Sequence, residues 1–144
     1  MQLTSYTDYS LRVLIYLAVH KEGLATIAEI SQAYGISKAH LTKIVHQLGL
    51  AGYLETIRGR GGGLRLARPP EKIRVGEVVR QTEGTSLVEC FDPKTSRCRI
   101  EPVCGLRAAL KDALQTFLTT LDGYTLADVV ARRRNPLARL FAAS

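Results

Sequence analysis

The chain is 144 residues long, 46% apolar and 23% charged, the balance of one ordinary folded domain with a core of its own. Its longest apolar run, Val13 to Val19, is far short of the roughly 20 residues that cross a bilayer, and its first residues lack the basic-then-apolar order of a secretion signal. Membrane and secreted classes are therefore excluded, a cytoplasmic protein is expected, and a net charge of +7 points to a polyanionic partner.

In chain order, Leu11, Leu14, Ile15 and Ala18 recur at helical spacing and predict a first helix from Tyr9 to about Lys21. Thr26-Ile27-Ala28-Glu29 matches a capping box and starts a short second helix that ends near Gly35. Ser37 then caps a third helix whose apolar stripe is Leu41, Ile44, Val45 and Leu48. Ala39, Lys43 and His46 lie opposite that stripe, flanked by His40, Thr42 and Gln47. Tyr53 to Ile57 and Leu64 to Leu66 are short alternating runs around Arg58-Gly59-Arg60-Gly61-Gly62-Gly63, a pattern that predicts a β-hairpin. A fourth helix is expected from Val75 to Glu83. The stretch from Gly84 to Val103 reads as a long structureless loop, which is uncommon unless something orders it. From Gly105 to about Leu121 a broad stripe of Leu106, Leu110, Ala113, Leu114, Phe117, Leu118 and Leu121 predicts a long helix. Thr125 caps a last short helix, and Arg132-Arg133-Arg134 begins a polar tail.

The expected fold is mainly α with a small β-hairpin: a winged helix-turn-helix domain over residues 1–83, a cysteine-bearing loop over 84–104, and a long helix and tail over 105–144. Between Ser37 and Arg68 the basic residues are Lys38, Lys43, Arg58, Arg60, Arg65 and Arg68, and the only acid is Glu55. That acid depletion, on a third helix suited to a major groove, points to double-stranded DNA. The residues expected at DNA are Ser37, Lys38, His40, Thr42, Lys43, His46 and Gln47 on the helix, with Arg58, Arg60, Gly61 and Gly62 in the wing. Lysines neutralise phosphates, His46 or Gln47 can reach base edges, and the wing arginines suit a narrow minor groove. The glycine run matches neither a phosphate loop nor a dinucleotide fingerprint, because Leu64 stands where the last glycine would fall. No Ser/His/Asp or paired-carboxylate arrangement is present, so an enzyme is not expected.

Cys90, Cys98 and Cys104 fall within fifteen residues, and no Cys-x-x-Cys pair of the zinc type occurs among them. The wider spacing suits an iron–sulfur cluster, which would also order the loop. Free thiols or zinc are the plainer alternatives. Three thiolates leave a four-iron cube one ligand short. Water, a histidine, a carboxylate or a residue of another subunit could complete it; Asp8 is a candidate, and its plainer role is to face a helix N-terminus.

Leu3-Thr4-Ser5-Tyr6-Thr7-Asp8-Tyr9, the wing sequence Arg58 to Leu64, and three cysteines before a long helix together resemble the IscR/NsrR family of winged-helix iron–sulfur transcription regulators. The resemblance covers nearly the whole chain. It implies a homodimer paired through the long helix, with the cluster loop of one subunit near the partner's DNA-binding domain. IscR-like members carry a histidine three positions after the last cysteine, where this chain has Arg107. NsrR-like members, which are nitric-oxide sensors, bind a [4Fe-4S] cluster through three cysteines and, across the dimer, an aspartate that maps onto Asp8. The resemblance thus implies a repressor of an inverted-repeat operator, released when nitric oxide attacks the cluster. The alternatives are a sensor of redox state or iron–sulfur supply with a [2Fe-2S] cluster and, more remotely, an electron carrier with no DNA role.

Overall fold

The computed structural model describes residues 2–20, 23–84, 86–131 and 133–143. Lys21 and Arg132, each named above at an element boundary, lie outside them. Seven α-helices and one antiparallel hairpin make up the regular structure of the described residues: α1 Ser5–Val19, α2 Ile27–Tyr34, α3 Lys38–Leu50, β1 Leu54–Ile57, β2 Gly63–Leu66, α4 Val75–Thr82, α5 Gly105–Asp122, α6 Leu126–Ala131 and α7 Arg134–Ala142. The mainly helical class with a small hairpin is as expected.

Helix α1 starts four residues before the expected Tyr9. Thr4 is extended and its hydroxyl accepts the Thr7 amide at 3.3 Å, so the helix begins at a cap rather than at the first apolar residue. It is buried on more than one face: Val13, Leu14, Tyr16, Leu17 and Ala18 all lie in the core. In α2 the capping box is complete, with the Glu29 carboxylate accepting the Thr26 amide at 2.6 Å and the Thr26 hydroxyl accepting the Glu29 amide at 3.2 Å. Gly35 then ends the helix in the left-handed region (φ 66°), a conformation that costs a glycine little. Ser37 caps α3 through the His40 amide, and Leu41, Ile44, Val45 and Leu48 are buried, as their spacing predicted.

The hairpin pairs Leu54 with Leu66 and Ile57 with Gly63. On the other edge of β2, Leu64 and Ala25 exchange two backbone hydrogen bonds of 2.7 and 3.0 Å, which anchors the wing to the segment entering α2. At the tip, a Cβ on Gly62 would stand 2.2 Å from the Ile57 carbonyl oxygen, so the turn closes only on glycine. Tyr53, Leu64, Ile73 and Val78 complete the core beneath the wing.

Two expectations need correction. The cysteine segment is not structureless throughout: short 3-10 turns occupy Glu89–Phe91 and Glu101–Val103. Asp92 orders the stretch between them locally, accepting from the Lys94 amide and the Thr95 hydroxyl at 3.0 Å each. The chain after Arg133 is not a polar tail either. It forms α7, whose Phe141 ring packs tilted against Tyr16 and edge-on to Tyr34 with centroids 4.8 and 5.3 Å apart, while Arg134 donates to the Ala18 carbonyl at 3.2 Å. Beyond the arginines the segment is mostly apolar, and Leu137 and Phe141 pack against the core to dock it.

Candidate nucleic-acid interface and cysteine segment

The face of α3 opposite its buried stripe carries Lys38, His40, Thr42, Lys43, His46 and Gln47, all exposed, as is the cap Ser37. Thr42 donates its hydroxyl to the Lys38 carbonyl at 2.7 Å, which leaves only its lone pairs for a partner. The His40 ring leans toward Tyr9 of α1, centroids 6.4 Å apart. In the wing, Arg58, Arg60 and Gly61 are exposed and Gly62 is half-buried. Glu55, the one acid of the stretch, faces Arg65 across the hairpin and pairs with it. Among the described residues Lys38, Lys43, Arg58 and Arg60 have no carboxylate partner, so their charge is available to phosphates.

The root of the wing is held by a group that sequence reading missed. Arg68 lies over the Tyr53 ring at 4.5 Å from its centroid and reaches the Glu77 carboxylate at 3.2 Å. Burial, with the Glu77 charge nearby, pushes the Tyr53 phenol up to about 12, so it is neutral at any ordinary pH.

Cys90 is buried in the turn before Phe91, whereas Cys98 and Cys104 are half-buried. Cys104 is the N-cap residue of α5 and makes no side-chain capping bond, which places its sulfur at the positive end of that helix. Arg107, one turn on, donates to the Cys90 carbonyl at 3.2 Å and approaches the Glu101 carboxylate at 3.7 Å. One guanidinium thereby links the Cys90 turn to the Glu101–Val103 turn. Among the described residues, no three His, Cys, Asp or Glu side chains are gathered as a site for one metal ion. Three thiols without a histidine are nevertheless the donor set that iron–sulfur clusters take, and their chemistry fits such a group.

The structure places Asp8 in the first turn of α1, with Arg12 bonded to both its oxygens at 2.8 and 3.1 Å, and does not group it with the cysteines of the same chain. The Arg12 guanidinium also stands 5.7 and 5.9 Å from the ring centres of Tyr9 and Tyr34. The four-residue spacing of Asp8 and Arg12 was a legible signal for this pair.

A second unanticipated group surrounds α4. Glu83, its C-cap residue, accepts hydrogen bonds from the Thr4 amide and hydroxyl at 2.9 and 3.0 Å and from the Thr7 hydroxyl at 2.6 Å. Partial burial works to raise the Glu83 carboxyl, but those bonds prevail and hold it below its ordinary value. On the same helix Arg80 meets Asp122 of α5 through two bonds of 2.6 Å, and this pairing lowers the Asp122 carboxyl.

Comparison with known proteins agrees with this architecture. The family profile of Rrf2, described as an iron-dependent transcriptional regulator, matches residues 3–132. The HTH-type transcriptional regulator NsrR of Bacillus subtilis (strain 168) is 54% identical over 137 residues, spanning 94% of each chain. Among solved structures, IscR of T. potens superposes with a TM-score of 0.75 at 25% identity, covering 92% of this chain and 88% of its own. CymR, the global cysteine regulator of B. subtilis, superposes at 0.70 with 28% identity, over 92% of this chain and 98% of its own. No helix among the described residues is long and apolar enough to cross a membrane. With a profile match along most of its length, a relative identical at more than half of the aligned positions, and a helix-turn-helix bearing a basic wing, this chain belongs to the Rrf2 family of transcriptional regulators.

Proposed function

We propose that this chain is a nitric-oxide-responsive repressor that binds an inverted-repeat operator as a homodimer in the cytoplasm. The observation that carries the reading is the donor set between α4 and α5: three thiols and no histidine, with Arg107 already engaged by Cys90 and Glu101 where a two-iron relative would place its nitrogen ligand. Similarity to proteins named NsrR supports the same choice. Cys90, Cys98 and Cys104 would hold a [4Fe-4S] cluster, with Asp8 supplied across the dimer as the oxygen ligand. When bound, such a cluster supplies iron that reacts with nitric oxide, and this reaction is the input signal.

The chain's own residues perform the output. Lys38 and Lys43 neutralise phosphates beside the major groove, His46 and Gln47 meet base edges, and Arg58 and Arg60 carry positive charge to the flanking minor groove. Two α3 helices of a dimer read half-sites one turn apart, about 34–36 Å. Each Asp8 oxygen keeps a lone pair beside its bond to Arg12, so Arg12 would orient the carboxylate as a ligand and couple ligation to the local structure of α1.

The test is an operator titration of anaerobically purified, iron-loaded protein with and without nitric oxide. The expected loss is about a hundredfold in affinity, near the upper end of measured allosteric couplings. Unchanged affinity would remove the sensor role and leave an ordinary DNA-binding protein.

A further inference from the structure

We propose that Glu83 is a positioning residue: its carboxylate is the latch that transmits the state of the cysteine segment to the first turn of α1. The proposal rests on the nitric-oxide-responsive reading above. Three donors converge on a single oxygen, Glu83 Oε2: the Thr4 amide at 2.9 Å, the Thr4 hydroxyl at 3.0 Å and the Thr7 hydroxyl at 2.6 Å. These partners stand 76 and 79 residues away in the chain, so the contact is long-range and joins two elements.

The position of each end gives the contact its meaning. Glu83 is the C-cap residue of α4, and Gly84 after it opens the segment that carries all three cysteines. Thr4 caps α1, and Thr7, whose side chain is fully buried, immediately precedes Asp8. The helix does not need a distant carboxylate to form, because the Thr4 hydroxyl already accepts the Thr7 amide. What Glu83 adds is a tie between the root of the sulfur-bearing segment and the turn that presents Asp8.

The rest of α4 keeps that tie short. Arg80 holds Asp122 of α5 through two bonds of 2.6 Å, and Arg74, the N-cap residue of α4, donates to the Asp122 carbonyl at 2.7 Å. With α4 pinned to the end of α5, a displacement beginning at Gly84 is not absorbed by a shift of α4 along its neighbour. It either moves the first turn of α1 or breaks the bonds at Glu83. Bonds to an ionised acceptor are the stronger kind, which suits a connection that must transmit displacement.

The experiment uses the full chain with Glu83→Gln and, separately, Thr7→Val, two replacements that nearly keep side-chain shape. Operator affinity is measured for iron-loaded and iron-free forms of each, beside iron and sulfide content and thermal unfolding. Both variants are expected to load iron and sulfide as the parent does, and the iron-free forms to bind within about twofold of it. The ratio of loaded to iron-free affinity is expected to fall roughly tenfold, the scale of one charged hydrogen bond. A parental ratio that persists in both variants overturns the latch while leaving the functional reading intact, and marks Glu83 as a simple brace. A parental ratio of one removes the functional reading and the latch with it.

Discussion

At the scale of single residues, charge that lacks a carboxylate partner is what marks a side chain as a candidate for DNA contact rather than a structural brace. Arg60 is exposed and unpaired, whereas Arg65 two strand positions beyond the turn is neutralised by Glu55. Arg60→Ala is therefore expected to weaken operator binding broadly across sequences and to flatten the plot of log affinity against log salt by about one unit. Arg65→Ala should leave that slope nearly unchanged, and neither should alter stability by more than about 0.5 kcal/mol. A fluorescence titration over a range of salt concentrations checks both; equal slopes in parent and Arg60→Ala would separate the wing tip from the DNA backbone. The basic residues and the cysteines were legible in the sequence because their chemistry is carried by residue type and spacing. The Asp8–Arg12 pair was legible in principle from its four-residue offset. Glu83 was not: its partners lie in another helix, and no local pattern marks an acid at a helix end as a bridge to residues 76 positions earlier.

Among the elements, those with a local start and stop signal were read correctly. Helix α2 carries its own boundary in Thr26, Glu29 and Gly35, and α3 in Ser37 and its four buried aliphatics. The same capping box makes α2 sensitive to acid. Hydrogen bonds from the Thr26 amide and then its hydroxyl hold Glu29 below its ordinary value of 4.5. A carboxyl lowered in the folded state stabilises above the unfolded value and loses that contribution as pH falls through the folded one. Thr26→Ala is thus expected to cost about 1 kcal/mol at pH 7, and the gap between variant and parent to narrow below about pH 4. Thermal unfolding at pH 7 and pH 3 measures it; a gap constant across that range would assign the loss to the hydroxyl alone. Helices α1 and α7 were misjudged at one end or entirely. The first turn of α1 lacks apolar periodicity and depends on Thr4. Helix α7 contains arginines and a proline, and its reason to form is a shelf of Tyr16 and Tyr34 that only the folded molecule presents to Phe141.

For the whole molecule, the proposed dimer explains an apolar helix stripe that the protomer covers only in part, with Leu110, Leu114, Phe117 and Leu121 half-buried. Leu106 of α5 is 65% exposed, Val103 just before it is 87% exposed, and of the expected stripe only Leu118 is buried. Leu106→Glu is expected to leave the protomer folded while shifting it to monomer in sedimentation, with operator affinity falling as the two half-sites are read separately. Retention of the dimer would place the interface elsewhere. The exchange of backbone hydrogen bonds between Ala25 and Leu64 has a geometric corollary for such an assembly. Because these bonds join hairpin and helix pair, the two would move together as one reading head in the proposed assembly. The adjustable quantity is the span between two heads, and base pairs rise by about 3.4 Å each. A change in span of that size would put both heads out of phase with the double helix at once, so a small rotation at the dimer axis could silence an entire operator.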